Sequence, residues 1–151
     1  MGCCSGKLRK NNKNKPIVFI PTLYSSYVIK VYDGDTITIS STLSRCSNIY
    51  YKFSVRLRGI DTPEMKTHNE DEKAAAKISQ KALSDKILHK NVTLKDIKYD
   101  KYGRLLADVY HNNKCLNDWM LEKKYGVPYD GGTKHIPKSW LDYQNGQESS
   151  I

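Results

Sequence analysis

The feature of this sequence that most constrains the fold is a change in hydrophobic periodicity. Three short runs rich in β-branched residues come first, each ended by turn-forming residues, and two more such runs follow later. Between them, Glu70 to Lys90 repeats apolar residues at helical spacing while lysines cover the other side. The chain is therefore predicted to combine short strands with a helix of about five turns.

The first three runs predict consecutive strands. Val28–Val31 and Thr36–Ile39 flank Asp33-Gly34-Asp35, a typical hairpin turn, which indicates an antiparallel pair. Between Phe53 and Arg58, apolar and polar residues alternate, so one face of the third strand meets the core and the other carries two arginines. Pro63 lies where this strand region must end.

Two further strands and a second helix complete the predicted domain. The strands are Asn91–Lys95 and Arg104–Tyr110, joined around Asp100–Gly103, and the helix contains Leu116 to Met120 with Gly126 as its terminating residue. Five short strands, with a helix after the third and another after the fifth, are typical of a partly open barrel of the oligonucleotide-binding type. The predicted fold class is α+β, mainly β: a five-stranded OB-fold barrel with two to three helices.

Length and composition fit one domain and exclude two classes of protein. A chain of 151 residues supports a single hydrophobic core. No apolar run approaches the roughly 20 residues needed to cross a bilayer, and the start of the sequence lacks the apolar region of a signal peptide. A membrane-spanning or conventionally secreted protein is not expected, and Cys46 and Cys115 are expected to be reduced thiols.

The first fifteen residues carry a separate signal. Lysines and arginines there contribute +5 of the formal net charge of +9, with no acid among them. Gly2 stands where N-myristoylation needs it, although Gly6 replaces the usual Ser or Thr, and Cys3 and Cys4 offer palmitoylation sites. One acyl chain binds a bilayer only weakly, so these signals together predict a lipid anchor reinforced by attraction of the basic residues to anionic lipids.

The predicted organisation has three parts: a lipid-anchored basic tail and linker over residues 1–26, a barrel domain over 27–143 and a disordered tail over 144–151. The anchor would hold the protein on the cytoplasmic face of a membrane in a eukaryotic cell, including one infected by a virus. A disordered basic leader and a nucleic-acid-binding arm are the alternatives for the tail. Within the linker, Ile17–Ile20 could be a plain connection, an extra strand or a contact with lipid.

Acidic residues at predicted strand ends are candidates for a metal site. Closing the sheet would bring Asp35, Asp61 and Glu64 to one rim. Hard oxygen ligands in such a place suit Ca²⁺ or Mg²⁺. Taken separately, however, Asp33-Gly34-Asp35 is typical of an ordinary turn, and Asp61-Thr62-Pro63 of an ordinary strand end.

Two arginines strengthen the interpretation of this rim as an active site. Arg56 lies on the outward row of the third strand, shortly before Asp61, and Arg104 opens the last strand. Phosphodiester hydrolysis requires a metal and cations to neutralise charge on the pentacoordinate phosphate, and an acid to handle the attacking water. A structural ion pair is the alternative for each arginine, and we favour it for Arg58.

Three motifs, in this order, resemble those of the staphylococcal nuclease (thermonuclease) family: Val31–Thr36, Val55–Glu64 and Asp100–Arg104. The resemblance extends over about Tyr27 to Tyr129 and implies the barrel that the strand pattern also predicts. It further implies that Asp35 and Asp61 bind Ca²⁺ through their carboxylates and Thr62 through its backbone carbonyl. Glu64 would position or deprotonate the attacking water.

The same resemblance implies roles around the phosphate. Arg56 and Arg104 would hold it and stabilise the transition state, and cleavage in this family leaves a 5′-hydroxyl and a 3′-phosphate. Lys101 and Tyr102 would lie near the substrate. Asn117 corresponds to a family asparagine that is structural. The family's long C-terminal helix would be shortened or frayed over residues 136–151, which contain a proline, a glycine and few apolar residues.

The predicted function is a monomeric, membrane-tethered, Ca²⁺-dependent endonuclease acting on RNA and on single-stranded or open DNA. The alternative is a catalytically silent OB-fold module that binds nucleic acid or protein, because the fold alone does not decide activity. The joint presence of the acids and both arginines favours catalysis. A purely electrostatic membrane adaptor would explain the basic tail but not the acids.

Overall fold

The computed structural model describes residues 17–147. Gly2, Cys3 and Cys4, the predicted lipidation sites, lie outside the described residues, as does the end of the predicted disordered tail. Residues 17–23 precede the first strand and form no regular element. Within this part of the chain, no helix has both the length and the apolar character needed to cross a membrane.

Five strands close into a barrel, which confirms the predicted fold. They are β1 (Tyr24–Val31), β2 (Thr36–Thr42), β3 (Tyr51–Leu57), β5 (Asn91–Tyr99) and β6 (Leu105–His111). All neighbouring pairs are antiparallel except β3 with β6, whose parallel pairing closes the barrel. Two short pairings lie outside the barrel: β4 (Ile60–Asp61) with β8 (Val127–Pro128), and β7 (Lys114–Cys115) with the end of β6.

The core fills the barrel and the space beneath the first helix. Alternation along the strands turns their apolar residues inward, as the sequence predicts for β3. The fully buried strand side chains include Val28, Ile37, Ile39, Val55, Leu57, Leu105 and Val109. Helix α1 (Glu70–Ile87) contributes Leu83 and Ile87 to this core.

Helix α1 begins where predicted and ends three residues earlier than predicted. The Asn69 side chain caps its start by accepting from the backbone N–H groups of Asp71 and Glu72 at 3.0 and 3.3 Å. At the other end, Leu88 leaves the helical conformation and His89 takes a φ of +59°, so the His89 N–H bonds to the carbonyl of Val28 at 3.0 Å. The chain then enters β5 directly.

Helix α2 (Leu116–Glu122) is shorter than predicted, because Gly126 does not terminate it. Lys124 instead adopts a φ of +56°, and the Tyr125 N–H donates to the carbonyl of Met120 at 2.9 Å. Gly126 has a different role, since an added Cβ would lie 2.7 Å from the backbone oxygen of Asp61. The glycine therefore permits close approach of two chain segments.

The ends of the barrel domain differ from the predicted boundaries. Strand β1 begins at Tyr24, inside the predicted linker, whereas Ile17–Ile20 forms no strand and is exposed. Helix α3 (Trp140–Gln144) is short, as expected, but it includes Gln144, which was assigned to the disordered tail. The Gln144 amide donates to the carbonyl of Ala75 at 3.2 Å, which holds this residue against α1. Cys46 and Cys115 are free thiols, as predicted.

Candidate active site

The predicted site residues lie together in a cleft of about 770 Å³ at one end of the barrel. Its walls contain residues from all three of the motifs found in the sequence, together with the loop that follows β8. The lining includes Asp35, Arg56, Asp61, Thr62, Glu64, Lys101, Tyr102, Arg104, Tyr129 and Lys134. Every residue predicted to bind metal or phosphate is therefore in the same cleft.

Strand register explains this convergence. Thr36 on β2 pairs with Arg56 on β3, so Asp35, the residue before β2, lies next to Arg56. Arg56 pairs in turn with Leu106 on β6, which brings Arg104, just before that strand, to the same edge. The parallel closure between β3 and β6 thus unites residues far apart in the sequence.

Arg56 bridges two buried carboxylates. Its Nη1 lies 2.5 Å from Asp35 Oδ2, and its Nη2 lies 3.0 Å from Asp61 Oδ1. The Nη2 group also donates to the carbonyl of Ile60 at 3.1 Å. Burial would lower the pKa of the guanidinium, but Asp35 and Asp61 outweigh it and raise that pKa. Arg56 is therefore a fixed, charged group beside the acids.

Asp35 is held in place by its own turn and by β2. Its N–H donates to Asp33 Oδ1 at 3.1 Å, and its Oδ1 accepts from the Thr36 hydroxyl at 2.9 Å. Burial raises the pKa of Asp35 from 3.8 to about 7, with the nearby Asp33 adding to the rise and Arg56 opposing it. Positive charge placed beside this carboxyl would favour its ionised form.

Asp61 and Thr62 lie where β4 pairs with β8, and both are buried. Two glycines pack closely against them. A Cβ at Gly126 would lie 2.7 Å from the Asp61 carbonyl oxygen, and a Cβ at Gly34 would lie 3.0 Å from Thr62 Cβ. The position of these candidate ligands therefore depends on the absence of a side chain at Gly34 and Gly126.

Arg104 lies on another side of the cleft and is oriented by Asp100. Its Nε donates to Asp100 Oδ2 at 2.6 Å, and its Nη1 lies 3.4 Å from the Thr36 hydroxyl. Asp100 Oδ1 also accepts from the backbone N–H groups of Tyr102 and Arg104 at 2.8 and 2.9 Å. Gly103 completes this turn with a φ of +82°, which favours glycine.

Glu64 is exposed at the mouth of the cleft and contacts a residue that the sequence did not indicate. Lys134 Nζ lies 3.2 Å from Glu64 Oε1 and 3.0 Å from Asp61 Oδ2. Partial burial would lower the pKa of this lysine, but the two carboxylates outweigh it and raise the pKa. The ammonium group thus occupies the space between two candidate catalytic or metal-binding acids.

Aromatic and basic side chains line the outer part of the cleft. Tyr102 is 72% exposed, and both Lys101 and Arg104 contact its ring, with distances to the ring centroid of 5.1 and 5.6 Å. The Tyr129 ring lies 6.0 Å from the Arg56 guanidinium carbon. The sequence predicts no role for Tyr129, and the structure places it in the lining of the cleft, directly after β8.

Two residues that we predicted to be structural are so placed. Arg58 forms an ion pair with Asp108 at 2.5 Å, although it also belongs to the lining of the cleft. The buried Asn117 side chain bonds to three backbone groups: its Oδ1 accepts from the Val109 N–H, and its Nδ2 donates to the carbonyls of Arg58 and Ala107. Asn117 thus ties α2 to β3 and β6.

The chemistry of the donor groups fits a hard cation. Asp35, Asp61, Glu64 and the Thr62 carbonyl offer oxygen atoms only, which suits Ca²⁺ better than a softer metal. Between residues 17 and 147, however, no group of three or more His, Cys, Asp or Glu side chains converges closely enough to hold an ion. Arg56 and Lys134 currently satisfy the carboxylates, so a cation would have to rearrange those ion pairs.

Comparison with known proteins identifies the family to which the chain belongs. The family profile described as "Staphylococcal nuclease homologue" matches residues 54–139, more than half of the chain. The chain belongs to the staphylococcal nuclease family. The matched segment contains Arg56, Asp61, Glu64 and Arg104, together with Lys134.

Curated relatives include several proteins named as endonucleases. An uncharacterized endonuclease of Haemophilus influenzae is 34% identical over 124 residues, covering 82% of this chain and 62% of the relative. A probable endonuclease of Schizosaccharomyces pombe is 30% identical, and the match covers 70% of this chain and 55% of the relative. Endonuclease YncB of Bacillus subtilis is 29% identical, and the match covers 81% of this chain and 57% of the relative. The chain thus matches somewhat more than half the length of these relatives.

Proposed function

We propose that the protein is a Ca²⁺-dependent nuclease that hydrolyses phosphodiester bonds of RNA and of single-stranded or open DNA, acting as a monomer. The observation that carries the proposal is the pairing of Arg56 with Asp35 and Asp61 in the cleft that also contains Arg104. Relatives named as endonucleases support the same reaction class. The exposed Tyr102 and neighbouring Lys101 suit a splayed strand, because bases stack on aromatic rings and phosphates attract cations.

The proposal assigns a role to each of these residues. Asp35, Asp61 and the Thr62 carbonyl would hold Ca²⁺, which would polarise the phosphate and favour ionised water. Glu64, at the solvent-exposed mouth, would accept a proton from the attacking water. Arg56 and Arg104 would donate to the phosphate oxygens as negative charge builds up in the pentacoordinate transition state. The products would be a 3′-phosphate and a 5′-hydroxyl.

The test separates the metal ligands from the proton acceptor. Asp35→Ala should weaken Ca²⁺ binding in calorimetric titration and abolish cleavage of a labelled oligonucleotide. Glu64→Gln should bind Ca²⁺ nearly as the wild type does but lose about 10² to 10⁴ in rate, the usual contribution of a general base. Mass spectrometry of the fragments should find 3′-phosphate ends. An equal loss of metal affinity in both variants, or 5′-phosphate ends, would reject this assignment of roles.

We further propose that the tail tethers the protein to the cytoplasmic face of a membrane, through a myristoylated Gly2 and a palmitoylated Cys3 or Cys4. The solvent-exposed segment Ile17–Ile20 supports this proposal: Ile17 is 95% exposed, and Val18 and Phe19 are each 69% exposed. An apolar segment between a basic tail and the barrel is suited to contact the lipid interface.

Cell fractionation tests the tether. Gly2→Ala should release the protein from eukaryotic cell membranes, because it removes the myristoyl acceptor and with it the membrane contact that palmitoylation needs. The paired Cys3→Ser and Cys4→Ser variant should bind weakly and reversibly, since one acyl chain is marginal. Wild-type protein in the soluble fraction, unchanged by Gly2→Ala, would reject the tether and favour a nucleic-acid arm or an inert leader.

A further inference from the structure

The loop between β8 and α3 inserts a lysine into the carboxylate cluster. Lys134 Nζ lies 3.0 Å from Asp61 Oδ2, and Arg56 Nη2 lies 3.0 Å from Oδ1 of the same carboxylate. Lys134 also reaches Glu64 Oε1 at 3.2 Å. Both oxygens of a buried acid are therefore paired with cationic side chains, one from the barrel and one from the loop.

The two cations differ in how easily they can leave. The Arg56 side chain is 15% exposed, belongs to β3 and donates in addition to the Ile60 carbonyl. The Lys134 side chain is 39% exposed and extends from a loop that contains Gly131 at a φ of +98°. A lysine on a flexible four-carbon stem changes rotamer readily once its partner charges are neutralised by another cation. Lys134 is thus the displaceable partner.

Electrostatics make simultaneous occupancy unfavourable. A divalent cation bound by Asp61 and close to Glu64 would lie a few ångströms from the lysine ammonium, where like charges repel strongly in a partly buried site. Asp61 and Glu64 cannot bind a divalent cation and keep their ion pairs with Lys134 at the same time without a loss of affinity for one of them. Metal binding and the Lys134 contacts therefore oppose each other.

We propose that Lys134 is a built-in competitor for the metal: it neutralises Asp61 and Glu64 in the metal-free protein and leaves them when Ca²⁺ binds. This inference rests on the Ca²⁺ assignment of the proposed function. The lysine offsets negative charge on Asp61 and Glu64 in the metal-free site, and the same contacts weaken the affinity for the metal. Lys134 is accordingly a positioning residue that sets how much Ca²⁺ the site needs.

Calorimetric titration of the full chain with Ca²⁺, without substrate, tests the competition. Lys134→Met should bind Ca²⁺ at least about fivefold more tightly than the wild type, since metal entry no longer breaks two ion contacts. Lys134→Arg keeps the charge and should stay near the wild-type affinity. Lys66→Met is the matched control, because Lys66 is exposed and lies two positions after Glu64, so its loss changes the net charge near the site equally.

Thermal unfolding provides a second readout. Without metal, Lys134→Met should unfold at a lower temperature than the wild type, because the buried Asp61 loses a partner. Saturating Ca²⁺ should remove that difference. A lysine that only stabilises the loop would instead leave the same deficit with and without Ca²⁺, which would overturn the proposal.

The results also distinguish failure of the Lys134 competition from failure of the Ca²⁺ assignment. If wild-type protein binds Ca²⁺ and Lys134→Met binds it no more tightly than Lys66→Met does, the competition is rejected while the Ca²⁺ assignment stands. If neither the wild type nor Lys134→Met binds Ca²⁺, the metal assignment fails and the competition fails with it. Asp35→Ala confirms the site of binding if it abolishes the titration signal in the Lys134→Met background.

Discussion

At the scale of single residues, the two arginines that we propose to hold the phosphate differ in what their removal would disturb. Arg56 pairs with Asp35 and Asp61, both buried, so its loss would leave two acids without their principal counter-charge. Breaking such a buried pair typically costs about 3–5 kcal/mol of folding free energy. The activity of Arg56→Ala would therefore reflect lost stability as well as any lost transition-state stabilisation.

Arg104 gives the cleaner test of transition-state stabilisation. Arg104→Ala should lower kcat by about 10² to 10³, the usual effect of removing one preorganised donor. Its free energy of unfolding should fall by only about 1 kcal/mol, since its ion pair with Asp100 is partly exposed. Steady-state kinetics at saturating oligonucleotide and Ca²⁺ would measure the first effect and urea unfolding the second.

The control for this prediction is Arg45→Ala, because the Arg45 guanidinium lies over the Tyr24 ring at 5.6 Å and belongs to neither wall of the cleft. It removes the same charge and should leave kcat near the wild-type value. Equal kcat in Arg104→Ala and wild type would show that Arg104 is a structural residue.

Asp100 predicts a specific pH dependence of stability. Burial would raise the pKa of this carboxyl, but hydrogen bonds from the Arg104 side chain and from the backbones of Arg104 and Tyr102 outweigh it and lower the pKa below 3.8. The folded state therefore favours the ionised form, so the stabilisation is present above pH 3.8 and is lost as pH falls through the lower folded value.

Asp100→Asn should accordingly lower the free energy of unfolding at pH 7 by about 1.5–2 kcal/mol, the lower end of the range for hydrogen bonds to a charged group. The deficit relative to wild type should shrink as the pH falls below 3.8. Urea unfolding of both proteins between pH 7 and pH 3 measures the difference. A deficit that stays constant over this range would mean that the charge of Asp100 contributes nothing.

At the scale of elements, the pairing of β4 with β8 positions Asp61 and Thr62, two of the candidate metal ligands. Gly126 precedes β8 and packs against the Asp61 carbonyl on β4. Gly126→Ala would place a methyl group 2.7 Å from that oxygen, and rigid backbone atoms cannot yield as a side chain would. The pair must therefore separate slightly, and Asp61 and Thr62 must move with it.

Gly126→Ala should cost about 1–3 kcal/mol of folding free energy, the range for overpacking, and should also weaken Ca²⁺ binding. Gly132→Ala is the control, because its Cβ would meet only the flexible Asp130 carboxylate, at 3.1 Å. Urea unfolding and calorimetric titration would report the two effects. Unchanged Ca²⁺ affinity in Gly126→Ala would mean that β4 does not position the metal ligands.

At the scale of the whole molecule, local sequence patterns are sufficient to predict the barrel. Parts of the site could not be predicted, because they depend on contacts between residues far apart in the sequence. Alternation around Arg56 gave the inward and outward faces of β3, and the order of the strands then fixed which ends meet. Lys134 could not be found in this way. It lies 70 positions from Glu64 in a polar, glycine-containing loop with no periodicity. The two ends of that loop are held by the pairing of β8 with β4 and by the contact of α3 with α1.

Gly126 shows that a local signal can also give a wrong prediction. A glycine shortly after an apolar helical stripe is typical of a helix terminus, and that local signal was misleading here. The Asp61 backbone, distant in sequence, is what requires the absence of a side chain. Similarly, the hydrogen bonds of Gln144 to Ala75 and Ser79 extend the ordered domain beyond the point where composition predicted disorder.

The proposed function requires that this cleft cleaves nucleic acid and does not merely bind it. The most direct measurement is the time course of fragments from end-labelled single-stranded DNA and RNA, incubated with wild-type protein in Ca²⁺ and then with excess chelator. Fragments should accumulate with Ca²⁺ and stop appearing when the chelator is added. Oligonucleotide that is bound in the presence of Ca²⁺ but remains intact would reject the nuclease proposal and identify the protein as a silent binding module.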